Sequence, residues 1–292
     1  MDRRRRKIAF LIPHCFRGDN ATAIHGSFRP EARGLRTLIL DRVIFQIHSL
    51  FGSRHVAQRP STREKLPADN PFAVDFDLMV FTSGPYHLMA DLMYRDHVTH
   101  IPVEAPPPLL GFECARWIAD NRGKYDYFVY LEDDICLRDP LMFVKLDAFY
   151  GAFGAARPDI LLQPQRYEET VVARHHGFAE RFDRLYIDYD AEGQWGPTPP
   201  GEVLRLDFLG MDIEFEPARN PHSGLYAVNN GHVERMAAHP DFLSHEKLVL
   251  TPMDTAATAF VARALCIYKP TLRNPSFFDI YHGHQSILLM GV

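Results

Sequence analysis

No stretch of the chain approaches the roughly 20 consecutive apolar residues that a membrane-spanning helix requires, although 46% of its 292 residues are hydrophobic. The apolar run Ile8 to Ile12 that follows the basic cluster Arg3 to Lys7 is too short for the core of a secretory signal. The chain also lacks a charge excess: 32 basic against 37 acidic residues leave a formal charge of -5. That balance provides no electrostatic footprint for a nucleic acid, so no nucleic-acid partner is expected. Cysteine is scarce. Cys15, Cys114, Cys136 and Cys266 are widely spaced and form neither a CxxC pair nor a zinc-ligand pattern. Individually packed, reduced thiols point to the cytoplasm, and the basic N-terminus adds peripheral contact with the inner face of a membrane as a secondary expectation, a solvated tail being the plainer one. No internal repeat and no low-complexity segment is present.

What stands out against these absences is Tyr125 to Cys136, a β-prone run of aromatic and branched residues that ends in three consecutive carboxylates, Glu132, Asp133 and Asp134. Open α/β sheets present ligands at the carboxyl ends of their strands, so acids at such a junction suggest a site. Strand alternation would put Glu132 and Asp134 on one face and Asp133 on the other. Like charges roughly 6 Å apart repel by about 3 kcal/mol at an effective dielectric near 20. A partly buried cluster therefore calls for a cation, and hard oxygen ligands favour Mg²⁺ or Mn²⁺. Helix capping or a wet turn is the plainer role for such acids.

Around this junction the pattern alternates. Ile8 to Ile12 predicts a first strand closed by Pro13, and Glu31 to Phe51 a long helix. Arg54 to Pro71 predicts a surface loop, Asp77 to Thr82 a second strand, Leu88 to Tyr94 a short helix and His100 to Val103 a third strand. A helix over Leu109 to Asn121 then leads into the acidic strand. Beyond it come a helix over Leu141 to Phe153, strands at Asp159 to Gln163 and Ser223 to Val228, a Gly/Pro-rich surface loop from Ala191 to Gly201, and a helix-compatible stretch from Asp254 to Leu265. The βαβαβ order predicts an α/β fold with a Rossmann-type, mostly parallel central sheet flanked by helices.

The whole resembles the GT-A type of nucleotide-sugar-dependent glycosyltransferase. The resemblance rests on Glu132-Asp133-Asp134 as a DXD-like motif, Ser223-Gly224-Leu225 in the second half, Asp254 before a helix and a late histidine in His282-Gly283-His284. It implies one GT-A-like domain over 1–292, with a nucleotide-sugar-binding half at 7–140 and an acceptor-binding half and C-terminal tail at 141–292, the central sheet being accompanied by a smaller acceptor-side region. It further implies a hexosyltransferase, of the inverting kind, that uses Mn²⁺ or Mg²⁺. The donor would be a nucleotide sugar, a UDP-sugar first, and the acceptor a carbohydrate or a lipid-linked hydroxyl, as in polysaccharide biosynthesis.

By the same resemblance Asp134 would ligate the metal, with His284 or His282 completing the set, and Glu132 and Asp133 would contact the donor. Pro13, His14 and Arg17 after the first strand would approach the base or phosphates, with a solvated loop as the other reading for Arg17. Gln163, Arg166, Trp195 and Gly224 would line the sugar or acceptor pocket. Trp195 reads as a stacking platform or lid, or as an anchor for its loop. Asp254 would be the general base, or a first-turn acid of its helix. Two other functions stay open: a sugar nucleotidyltransferase, against which the loop Pro13 to Gly18 lacks a glycine-rich phosphate signature, and a non-catalytic carbohydrate- or partner-binding protein.

Overall fold

The computed structural model describes residues 5–20, 26–169, 173–175, 178–180, 183–190, 195 and 198–283. Its centre is β1 (Lys7–Pro13), whose residues Ile8 to Ile12 are fully buried. Strand β2 (Asp75–Ser83) runs parallel to β1, and β3 (Thr99–Val103) runs parallel to β2. Strand β4 (Tyr127–Leu131) flanks β1 on its other side, again in parallel. After the acids the two-residue β5 (Ile135–Cys136) leaves this sheet. Strands β6 (Ile160–Leu162), β7 (Gln165–Glu168), β8 (Leu185–Tyr186), β9 (Leu204–Phe208) and β10 (Met211–Pro217) all lie outside it. Then β11 (Leu225–Val228) returns to pair antiparallel with β4, completing the order β11-β4-β1-β2-β3. This is a mixed α/β architecture with a mostly parallel central sheet.

The sheet is apolar on both faces, as a strand covered from two sides must be. Ile8, Phe10, Ile12, Tyr127, Val129 and Leu131 face one core, packed by α1 (Arg33–Phe51) and α3 (Met142–Phe153), while Ala9, Leu11, Phe128 and Tyr130 face a second core under α2 (Leu110–Asp120) and α4 (Asn230–Ala238). A further helical segment over 252–262 joins the second core through Ala256, Ala257, Phe260 and Val261. Its middle, Thr255–Ala259, is wound as a π-helix, a distortion often found beside functional sites.

Among the described residues two four-stranded sheets and two two-stranded ribbons carry the other strands. One of the sheets has the order β8-β7-β13-β5, where β13 (Asp279–His282) runs parallel to β7 and antiparallel to β5. The other has the order β9-β10-β12-β6, where β12 (Cys266–Pro270) runs parallel to β6. Among the described residues no helix is long and apolar enough to cross a membrane.

Two local expectations are corrected. His55–Arg59 and Glu64–Ala68 form an antiparallel ribbon where a loop was expected. Its side chains are largely exposed, so it buries no face whose alternation could be read. The short helix at Leu88 to Tyr94 reduces to a single 3₁₀ turn, Met89–Asp91. The strand expected at Asp159 to Gln163 is present as Ile160–Leu162, in a peripheral sheet.

Phe10 is fully buried with ring contacts to Phe51, Phe76 and Phe143 at 5.9, 5.7 and 6.2 Å. Phe10→Ala is expected to cost about 3–5 kcal/mol in urea unfolding; a loss under about 1 kcal/mol contradicts this packing.

Candidate functional site

The acids sit one step past the end of β4. The Ile135 N–H donates to the Glu132 carbonyl at 3.1 Å, closing a turn, and the Glu132 N–H donates to the Gly224 carbonyl at 2.9 Å. In a turn the pleat no longer dictates which way side chains point. Asp133 and Asp134, expected on opposite faces, accordingly converge on one guanidinium, that of Arg36 in α1. Gly224 is needed at its position. It has a φ of +71°, and a Cβ there would lie 2.7 Å from Glu132 Oε2.

Arg36, His282 and Arg166 each bridge two carboxylates. Asp133 accepts from Arg36 and from His14 Nδ1 at 2.5 Å. The Leu88 N–H donates to His14 Nε2 at 3.1 Å, so Nδ1 carries the proton given to Asp133. Arg36 Nη1 donates to Asp134 Oδ2 at 2.9 Å, and His282 Nε2 lies 3.7 Å from the same oxygen. His282 Nδ1 meets Glu168 Oε1 at 2.9 Å. Pairing of His282 with Ile135 across β13 and β5 sets the ring beside Asp134. Arg166 grips Asp188 through Nε at 2.5 Å and Nη2 at 3.2 Å, and its Nη1 stands 3.9 Å from Glu132 Oε2.

The ionisation of these groups follows from the pairing. Burial opposes the charge on Asp134, but His282 and then Arg36 hold it well below the usual carboxylate range. Asp133 is likewise lowered against its burial, by Arg36 and His14. Burial also opposes the charge on His282, yet Asp134 and Glu168 push it up to about 9, so the ring is an imidazolium at neutral pH. Glu132 differs. Burial and then Asp134 raise it to about 7, with Asp254 adding to the rise, because its one nearby guanidinium is already spent on Asp188. Glu132 is thus the least satisfied acid of the three.

Of the residues singled out in the sequence, His14, Glu132, Asp133, Asp134, Arg166, Gly224 and His282 are joined in this network. Asp254 stands close enough to load charge on Glu132. It also sits in the first turn of its helix, taking a hydrogen bond from the Thr251 hydroxyl at 2.5 Å while its N–H donates back to that oxygen at 3.2 Å. Pro13 closes β1 next to His14. Arg17 pairs with Asp19 at 2.6 Å and is 41% exposed, sharing no contact with the acids. Trp195 lies parallel to His222, ring centroids 6.1 Å apart. Gln163 is fully buried. His284 and most of the loop from Ala191 to Gly201 lie outside the described residues. Arg36, Asp188, His222 and Lys269 were not anticipated. For Arg36 a signal existed: it opens the stripe continued by Leu40, Val43 and Ile47, so the inward face of α1 begins with a cation.

Among the described residues no group of three His, Cys, Asp or Glu side chains is arranged to hold a metal ion by itself. The donor chemistry fits a different kind of site. Mg²⁺ is commonly held by one or two carboxylates together with substrate phosphates, and Glu132 with the free Oδ1 of Asp134 supplies that number. Ligation through His282 Nε2 would require loss of the Nε2 proton that faces Asp134.

Removing the central cation takes one of two partners from each of two buried carboxylates, leaving Asp133 with His14 and Asp134 with His282. Arg36→Met is expected to lose about 3–5 kcal/mol at pH 7. The stabilisation lost belongs to lowered carboxyl groups, present above their unfolded values and vanishing as pH falls. The deficit should therefore shrink below about pH 4 in urea titrations, and a pH-independent deficit contradicts the pairing. Glu132→Gln should do the reverse. A raised carboxyl favours folding at low pH and loses that contribution as pH rises through about 7. The variant should therefore melt above wild type at pH 8 and level with it at pH 4, and an equal Tm at both pH values contradicts the shift.

No protein-family model and no curated protein sequence matches the chain. Among solved structures it is similar to a mannose-1-phosphate geranyltransferase from Thermus thermophilus, at 10% identity and a TM-score of 0.35, over 95% of this chain and 74% of that one. It is also similar to a 4-diphosphocytidyl-2C-methyl-D-erythritol synthase, at 11% identity and a TM-score of 0.35, over 98% of each chain. A third is described as a glucose-1-phosphate thymidylyltransferase from Bacillus anthracis in complex with a sucrose, at 10% identity and a TM-score of 0.31, over 93% and 94%. None of the three is described as a glycosyltransferase, and the third is of the class weighed above as the alternative. A likeness of this strength assigns no activity.

Proposed function

We propose that the chain is a divalent-metal-dependent transferase acting on a nucleotide-linked sugar, with transfer of the sugar to an acceptor hydroxyl as its reaction. The observation that carries this reading is the acidic turn at the carboxyl end of β4, where Glu132 is left unsatisfied beside a fully paired Asp133. Glu132 and Asp134 Oδ1 would hold Mn²⁺ or Mg²⁺. When bound, the ion supplies neutralisation of the diphosphate as the sugar departs.

The chain's own residues divide the remaining work. Asp133, tied to His14 and Arg36, fixes the turn against β1 and α1. Arg36 and His282 hold Asp134 ionised and oriented. Asp254 takes the proton of the acceptor hydroxyl as that oxygen attacks the anomeric carbon and the bond to the diphosphate breaks, an inverting displacement. Gly224 leaves room beside Glu132, and Trp195 with His222 forms an aromatic wall suited to a sugar ring.

Nucleotidyl transfer, in which a sugar phosphate attacks a nucleoside triphosphate and pyrophosphate leaves, is the second reading, since the same two carboxylates could hold a metal-chelated triphosphate. The loop after β1 weighs against it. The N–H groups of Phe16, Arg17, Gly18 and Asn20 all donate to backbone carbonyls, of Tyr86, Ser27, Ser27 and Phe28. Those amides are not free to cradle a triphosphate.

The two reactions release different products. Incubating the chain and Mn²⁺ with nucleotide sugars should release nucleoside diphosphate, and incubation with nucleoside triphosphates and sugar phosphates should release no pyrophosphate; the opposite result establishes the second reading. Asp254→Asn should keep donor affinity within about twofold and cut turnover by about 10²–10⁴-fold. Full turnover in that variant removes Asp254 as the base.

A further inference from the structure

Lys269 lies in β12 at 2% exposure. Buried ammonium groups are ordinarily paired with a carboxylate, yet no carboxylate oxygen of the described residues lies within ion-pair distance of this one. Asp188, the carboxylate that pulls on it, is engaged by Arg166, and Glu216, its pairing partner across β10 and β12, accepts from the Tyr189 hydroxyl at 3.2 Å. Among the described residues the ammonium donates to a single acceptor, the His222 carbonyl, at 2.5 Å. Burial accordingly pulls the lysine down to about 8, against the pull of Asp188.

Beside it stands a second unsatisfied group. The last pair of the β6–β12 ladder is Leu162 with Tyr268, and the Gln163 N–H carries the pairing one step on by donating to the Tyr268 carbonyl at 2.9 Å. In a parallel ladder that step sets Gln163 next to Lys269, with both side chains on the face that Leu161 and Ile267 line. Gln163 is fully buried, and neither its amide oxygen nor its amide nitrogen has a partner among the described residues. An ammonium has three donors and a carboxamide two, so two remain on Lys269 and two on Gln163, against one amide acceptor.

We propose that Lys269 and Gln163 form a subsite for an anionic oxygen group, a carboxylate or a phosphate, carried by the substrate. The subsite adjoins the acidic turn. His222, whose carbonyl accepts from Lys269, lies two residues before Gly224, whose bare Cα makes room for Glu132. Arg166 contacts both Asp188 and Glu132. Donor excess and uncompensated positive charge favour an anion over a neutral hydroxyl pair. That the anion belongs to a sugar substrate rests on the function proposed above; that the pair binds an anion does not.

The test is calorimetric titration of the full chain at pH 7 in EDTA with glucuronate, inorganic phosphate and, as the neutral control, glucose. EDTA separates the result from any metal-dependent nucleotide binding, so an anion bound without metal stands even where the transferase reading fails. At least one anion should bind and glucose should not, with the preferred anion naming the source as carboxylate or phosphate. Lys269→Met should weaken that binding at least tenfold. Gln163→Glu should abolish it while raising the Tm, because the new carboxylate gives the buried ammonium a partner. The proposal is overturned by a wild-type chain that binds neither anion, by Lys269→Met binding with unchanged affinity, or by Gln163→Glu that binds as wild type.

Discussion

The guanidinium of Arg36 is the constraint on which the site depends. It lies on the inward face of α1 and is 6% exposed, and it answers two carboxylates of one turn, Asp133 and Asp134. A buried carboxylate without a partner costs several kcal/mol, so α1, β1 and the acidic turn can adopt their arrangement only together. His14 at the end of β1 completes the clamp, using one ring nitrogen on Asp133 and the other on the backbone of Leu88. The same turn carries the chain from the central sheet into β5, where pairing with β13 delivers His282 to the other side of Asp134.

From that clamp follows an uneven division of labour among three adjacent acids. Asp133 is spent on structure, Asp134 is ionised and shares one oxygen between two cations, and Glu132 is short of a partner. Charge alternates through Glu168, His282, Asp134, Arg36 and Asp133, and again through Glu132, Arg166 and Asp188, and the pattern is incomplete at two points. One is Glu132, deficient in positive charge. The other is Lys269, deficient in negative charge. A substrate that brings a cation to the first and an anion to the second would complete both, and a metal-chelated sugar nucleotide with an acidic substituent has that charge pattern.

Much of this fold was legible because burial on both faces leaves unbroken apolar runs. Ile8 to Ile12 and Tyr127 to Leu131 are continuous strands in sequence and in structure. The antiparallel ribbon at 55–68 was not legible, since exposed strands held by backbone pairing leave no periodic trace. The acids were located correctly at a strand end, but their orientation was misjudged by extending the pleat into residues that turn. Lys269 was missed although Cys266-Ile267-Tyr268-Lys269-Pro270 is an apolar strand with one cation inside it. Arg36 was missed because a helical arginine is usually read as solvated, and only the neighbouring strand ends reveal why this one is buried.

The most direct test of the central claim is a titration of the full chain with UDP, GDP, CDP and ADP, each in Mn²⁺ and again in EDTA, for wild type and Asp134→Asn. One nucleoside diphosphate should bind the wild type only when Mn²⁺ is present, and Asp134→Asn should remove this metal-dependent binding. Equal affinity with and without metal, or no binding of any of the four, contradicts the claim.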